Sequence, residues 1–475
     1  MVDLGVKMFF RDKEFLKKIM MLSVPIALQN LITSILNIFD QIMVGWLPKE
    51  IADNCLSAVL LANQIVYIFQ IVLFASCNTV NIFVAQYTNN GRQKEIPKRI
   101  GFLLIFNLII TVGVTIICAF FPSLPISIFG PSESYKYLAE DFLRTVSISF
   151  IPMSISITFS FSMRAIKRMK VALTANVIAV VLNILFNYWF MFGGLGVPAY
   201  GLIGAAYGTI LSRIIEMIIV IGGLIKFKYP IIASPKVMFK FGDGYFKHFI
   251  RMFIPILCNE LFWVLSITLY LTVYDKLPNS STVLAAVNIS NSVNNIISVA
   301  MIGIGSASGV IIGNILGDGD EEKAREYSSK SMQFAFTVGL IIGIFTVASA
   351  FFAPMLFKNV SHAAYIKARN LLFLYGLTAV LRTMTFMLII GILRSGGDTT
   401  FCMVVETLSI WFVSMPLVVV GGLVFKWNIY ILFLLSNISE VIKIIMCYAR
   451  TKGNKWIKLK TEKKKVQSTT IQSTI

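Results

Sequence analysis

The sequence predicts an all-α integral membrane protein: twelve transmembrane helices in two pseudo-symmetric six-helix bundles. Three observations lead there. Of 475 residues, 57% are hydrophobic and only 14% charged, where a soluble domain carries about 25% charge. The apolar residues fall in continuous runs long enough for helices to cross about 30 Å of hydrocarbon, at about 20 residues each; a membrane barrel would alternate instead. Finally, the chain repeats itself. Val24–Pro48, VPIALQNLITSILNIFDQIMVGWLP, is answered by Ile254–Pro278, IPILCNELFWVLSITLYLTVYDKLP, with its prolines in register: 255 − 25 = 230 and 278 − 48 = 230.

In chain order, residues 1–18 form a basic, amphipathic lead-in (Lys7, Arg11, Lys13, Lys17, Lys18) to a first span that acts as an uncleaved signal-anchor. Twelve spans follow near 19–43, 54–86, 100–121, 142–163, 171–192, 201–225, 249–273, 283–315, 333–353, 370–393, 402–422 and 428–448. The second and eighth are long enough to tilt or project beyond the bilayer. Pro230, Pro235, Gly242 and Gly244 mark residues 226–248 as a linker. The domains are thus 1–225, the linker 226–248, 249–450, and a basic, polar tail 451–475.

The repeat runs on past its first span. LSAV at Leu56–Val59 answers LAAV at Leu284–Val287, and Arg164, ending the fourth span, answers Arg394, ending the tenth. Six spans per copy make the repeats parallel, with a substrate site expected between them.

The net charge of +19 invites a nucleic-acid reading, but its distribution follows the positive-inside rule. Alternate loops hold Arg92, Lys94, Lys98 and Arg99, then Arg164, Lys167, Arg168 and Lys170, then Lys226–Lys247, Lys323–Lys330 and the tail from Arg450. Those loops and both termini are expected in the cytoplasm, in a cell (plasma) membrane. The six cysteines lack metal-ligand spacing, and the two histidines, His248 and His362, lie in loops or at span ends; buried free thiols are expected, with no metal centre.

Two acids interrupt the repeated span, Asp40 in the first copy and Glu260 in the second. A carboxylate within the membrane costs about 2.5 kcal/mol or more and marks a functional site by default. Arg382 is expected to be the counter-charge to Glu260, as an ion pair or a substrate contact. Arg213/Glu216 and Glu440/Lys443 read as local i, i+3 pairs near cytoplasmic span ends, and Glu406 as reaching the interface. The second span carries Asn63, Gln64, Gln70, Asn78 and Asn81, and the eighth Asn288, Asn291, Asn294 and Asn295. They line a central cavity or join helices; Gln64, Asn288 and Asn291 are taken as cavity residues.

Several motifs stand in order on this frame: PIALQNL…NIFDQIMVG in the first span, LANQI and AQY in the second, GAAYGT opening the sixth and GILRSGGDT closing the tenth. Together they resemble the multidrug and toxic compound extrusion (MATE) family of the multidrug/oligosaccharidyl-lipid/polysaccharide flippase superfamily. The resemblance covers nearly the whole chain. It implies a V-shaped pair of bundles exporting organic, often cationic and amphiphilic compounds, driven by inward Na⁺ or H⁺, with no cofactor. It implies that Asp40 binds the coupling cation together with Asn183 and Asn187, four residues apart and so on one helix face, and with Thr209. Where other members carry a second carboxylate, Asn187 here cannot titrate, which favours Na⁺ over a two-carboxylate proton relay. Some members carry a glutamate on the seventh span where this chain has Trp263, so Glu260 is not an equivalent. The expected partners are small organic substrates and membrane lipids; the expected state is a monomer without nucleic acid. A flippase for lipid-linked saccharides is the competing reading; it needs cavity cations for pyrophosphate, and the spans offer mainly Arg382. A membrane enzyme would need a nucleophile–base pair or metal ligands, and no histidine lies within the spans.

Overall fold

The computed structural model describes residues 12–88, 93–129, 133–194, 196–239, 244–278, 280–356, 362–453 and 455–458. The lead-in before Asp12, the loop residues 89–92 and the tail from Leu459 lie outside the described residues. The described residues form helices; the only β feature among them is an isolated bridge, Gly194 to Val197.

Twelve helices are long and apolar enough to cross a membrane. They are α1 (Lys13–Gly45), α2 (Lys49–Tyr87), α3 (Ile96–Phe120), α4 (Tyr135–Ala165), α5 (Lys170–Phe192) and α6 (Leu202–Lys226). Then come α7 (Tyr245–Asp275), α8 (Ser280–Gly317), α9 (Glu321–Ser349), α10 (His362–Leu393), α11 (Thr399–Val424) and α12 (Ile429–Lys452). Each matches an expected span. Several begin earlier than hydropathy suggests, because polar first turns are helical too. α9 starts twelve residues early (333 − 321 = 12), N-capped by Asp320, whose side chain accepts the Lys323 amide.

The first helix of each repeat divides its packing between the two halves. Phe15, Ile19, Leu22 and Ile26 of α1 belong to a core built from α8, α9, α10 and α11. Met43 and Val44, at the other end of α1, pack with α2, α4 and α6. The second repeat mirrors this: Phe249, Met252, Phe253 and Ile256 of α7 join a core of α2–α6, whereas Val273 and Tyr274 pack with α8, α10 and α12. Pro25 and Pro255 lie inside α1 and α7, within the stretches that enter the opposite half.

Small residues let the halves meet closely. A Cβ on Gly303 of α8 would stand 2.9 Å from Ala27 Cβ and from the Ser23 carbonyl of α1, and one on Gly313 would stand 3.0 Å from Ala85 Cβ of α2. Gln86 of α2 donates to the Ser395 carbonyl at 3.1 Å. These contacts gather at the end where the basic loops and described termini lie, termed here the basic end. Asp12 joins Lys330 of α9 there at 2.5 Å, and its carboxyl is held below the usual carboxylate range by that bond and by the Phe15 amide.

Candidate functional site

In the half of the molecule away from the basic end, α1, α5 and α6 bring one carboxylate and two amides together. Asp40 lies five residues before the end of α1, and Asn187 five before the end of α5. Asn187 Nδ2 donates to Asp40 Oδ1 at 2.9 Å and to Asn183 Oδ1 at 3.0 Å. Asn183 Nδ2 in turn donates to Thr209 Oγ1 at 3.3 Å and Ser212 Oγ at 3.1 Å. Thus Asp40, Asn183, Asn187 and Thr209, separate in sequence, form one connected group, as expected. They line a cavity of about 100 Å³ with Asn63, Gln70 and Arg213.

Glycine makes the group possible. α5 and α6 pack closely along Gly204 and Gly208, a small-xxx-small pair. A Cβ on Gly208 would collide with Asn187 Oδ1 and stand 2.6 Å from the Asn187 amide nitrogen. Asn187 is buried, and its Oδ1 has no hydrogen-bond partner among the described residues. That oxygen, the free carboxylate oxygen of Asp40 and Thr209 Oγ1 are hard donors of the kind a monovalent cation takes. The residues present therefore fit a monovalent cation: one negative charge, neutral oxygens and a small cavity.

Ser212 escaped the sequence reading, and Asn63, Gln70 and Arg213, though singled out there, were not assigned to this group. Ser212 follows Thr209 by one helical turn, a detectable signal. Arg213 was expected near a cytoplasmic span end but lies mid-helix, eleven residues from Leu202 and thirteen from Lys226 (213 − 202 and 226 − 213), and faces the cavity. Its pairing with Glu216, at 2.7 Å, is as expected. Gln64 is exposed and is not among the residues lining this cavity; its neighbour Asn63 is. Side chains one position apart on a helix point about 100° apart, so only Asn63 of the pair reaches this cavity within the first repeat.

The second half departs further from expectation. Glu260 does not pair with Arg382. It pairs with Arg394 at 2.9 Å, with side chains 30% and 7% exposed. Arg382 instead donates from Nε to Asn437 at 3.4 Å and lies over the rings of Tyr375 and Phe433 at 4.7 and 5.9 Å. The physical reason is burial of the turn between α10 and α11. Asp398 in this turn is fully buried and held by Arg450 at 2.8 Å and Lys458 at 2.5 Å. Trp456 covers the turn, where a Cβ on Gly396 would stand 2.5 Å from its ring. Arg394 is therefore inside the bundle and not at the surface. Asn291 accepts from Tyr375 Oη at 2.5 Å, a helix-to-helix bond, whereas Asn288 is exposed. Glu440 and Lys443 pair as expected, but at mid-span, and the largely covered Glu406 faces Lys443 instead of reaching the interface.

The arrangement combines paired helical repeats with a partly buried carboxylate set among neutral oxygens. The MatE family model matches residues 25–189 and again 255–420, the two matches starting at Pro25 and Pro255. The chain belongs to the MatE family. This MatE chain is similar to the uncharacterized transporter YisQ of Bacillus subtilis (strain 168), at 24% identity over 86% of this chain and 89% of the relative. It is likewise similar to the probable multidrug resistance protein NorM of Thermotoga maritima, at 24% identity over 85% of each. Among solved structures it matches a crystal structure of MATE in the bent conformation, with TM-score 0.82 at 18% identity over 95% of this chain and 98% of the other. It also matches an outward-facing MATE transporter, with TM-score 0.79 at 17% identity over 95% and 97%. These matches extend the fold over nearly the whole MatE chain.

Proposed function

We propose that this MatE chain is a secondary antiporter that exports organic compounds, cationic amphiphiles above all, by alternating access, and that inward Na⁺ or H⁺ binds at Asp40. The observation that carries the proposal is the Asp40–Asn187–Asn183 group, its amides buried and its carboxylate partly so, beside a small cavity in the far half of the first repeat. An anion there is costly unless a cation or a proton neutralises it. Its occupancy drives transport only if the inward- and outward-open states bind the ion with different affinity. Names among the relatives, such as probable multidrug resistance protein NorM, support drugs as the substrate class.

The domain boundaries belong to the same proposal: bundles at 1–225 and 249–450, a linker at 226–248 and a tail at 451–475. So do the plasma membrane location, both termini in the cytoplasm and the monomeric state. Transport in proteoliposomes under separately imposed Na⁺ and H⁺ gradients, with a panel of fluorescent organic cations, tests the function. Dependence on neither gradient would refute it. Asn187→Asp should preserve transport and move its pH dependence, since two close carboxylates do not readily both ionise.

A further inference from the structure

The second half buries a row of charges that the Asp40 site does not use. Lys443 on α12 is 3% exposed; its Nζ stands 2.8 Å from Glu440 Oε1 and 3.7 Å from Glu406 Oε1, on carboxylate side chains 17% and 12% exposed. The group lies at mid-span. Lys443 is nine residues from the end of α12 at Lys452 (452 − 443) and fourteen from its start at Ile429 (443 − 429), about 14 and 21 Å of helix. Arg394, paired with Glu260, acts on Glu406 from one side, and Arg382 acts on Glu440 from the other. Three acids thus meet three bases. Asn259, buried on α7, acts on Glu406, and its Oδ1 lacks a partner among the described residues.

We propose that Lys443 is a tethered cation: its ammonium permanently fills a monovalent-cation position between Glu406 and Glu440, so the second bundle takes up no exchangeable ion there. Removing the ammonium opens that position to a free primary ammonium or an alkali-metal cation. Two carboxylates so close in a low-dielectric interior require a cation between them. An ammonium carried by the chain itself is compact, donates three hydrogen bonds and suits such a place. Because it cannot leave, its binding cannot differ with the gradient, so it drives nothing. At the Asp40 site, by contrast, the nearby Arg213 is already paired with Glu216 at 2.7 Å. Only the consequence for coupling rests on the proposed role of Asp40; the occupancy of the second site rests on the geometry of α11 and α12.

Thermal unfolding of the purified full chain tests the proposal, in buffers whose sole monovalent cation is tetramethylammonium, ethylammonium or Na⁺. Lys443→Ala should unfold several degrees below wild type in tetramethylammonium, which is bulky and has no N–H. Ethylammonium, or Na⁺ at higher concentration, should restore most of that loss. The triple variant Lys443→Ala, Glu406→Gln, Glu440→Gln should be more stable than Lys443→Ala and indifferent to the cation. A Lys443→Ala protein that no cation stabilises would overturn the proposal.

Radioactive Na⁺ binding to the wild type needs no Lys443 variant and serves if Lys443→Ala does not accumulate. A Na⁺ site that survives Asp40→Asn and disappears with Glu406→Gln overturns the tethered-cation assignment, and absence of such a site supports it. Gradient-driven transport persisting in Asp40→Asn would instead defeat the proposed role of the first bundle, so the two failures are distinguishable.

Discussion

At the 230-residue register, Asp40 of α1 corresponds to Tyr270 of α7, Gln29 to Asn259, Asn30 to Glu260 and Arg164 to Arg394. The contacts follow that register while their chemistry changes. Arg164 donates to Gln29 at 3.1 Å in the first half, and Arg394 pairs with Glu260, one position further along, at 2.9 Å in the second. The first half leaves Asp40 bonded to a neutral amide, its Arg213 being paired with Glu216; the second places its acids against lysine and arginine. A charge matched from within the protein makes no demand for an ion, whereas an unmatched one does. Duplication therefore preserves helix packing more closely than it preserves electrostatics.

The largest expected effect breaks the comparison on the first side. Asp40→Asn removes the charge and leaves an amide of similar shape, so gradient-driven export should fall to the level of empty vesicles while membrane insertion persists. Transport assays with an expression control check this. Retention of Na⁺- or H⁺-driven export would move coupling away from Asp40.

Next comes the Glu260–Arg394 pair. Removing either partner leaves a charge without its closest counter-ion, at a cost of roughly 3–5 kcal/mol for a buried pair, with the 30% exposure of Glu260 reducing the cost of losing Arg394. Glu260→Gln with Arg394→Gln should accumulate better than either single variant in detergent-solubilised size-exclusion profiles. Strictly additive damage would argue against a functioning pair.

Gly208→Ala tests the packing beneath Asn187. Its Cβ must displace Asn187 side chain or backbone, a change that typically costs about 1–3 kcal/mol and should weaken transport. Gly113→Ala is the control, because beyond its own helix backbone and chain neighbours nothing lies within 4 Å of its Cβ. Equal transport by the two variants would remove Gly208 from the account.

The smallest effect concerns the closure at the basic end. Asp12→Asn keeps an N-cap acceptor for the Phe15 amide, bonded at 2.9 Å, but gives up the ion pair with Lys330, typically up to about 1 kcal/mol when partly exposed. The sign follows from the lowered pKa of Asp12. Its contribution is fully present above the unfolded value, about 3.9, and fades as pH falls through the lower folded value. Wild type and Asp12→Asn should therefore differ in thermal midpoint at neutral pH and converge in strong acid. A gap that widens on acidification would contradict the ion pair.

Much was legible in one dimension. Continuous apolar runs gave the twelve helices, because a bilayer imposes length and composition directly. The register of Pro25 with Pro255 gave the duplication. Asp40 was visible because a charged group in an apolar span stands out; Asn183, Asn187 and Thr209 were singled out by the resemblance to the MATE family, with four-residue spacing placing the two amides on one helix face. Tertiary structure alone decided the partners. Arg394 reads as a span-end residue until Trp456 is seen to bury its turn. Lys443 and Glu440 read as a local pair until α11 brings Glu406 to them. Sequence spacing reports neighbours along a helix, but charges in a low-dielectric interior are settled by whichever groups other helices deliver within a few ångströms, and helix packing alone sets those distances.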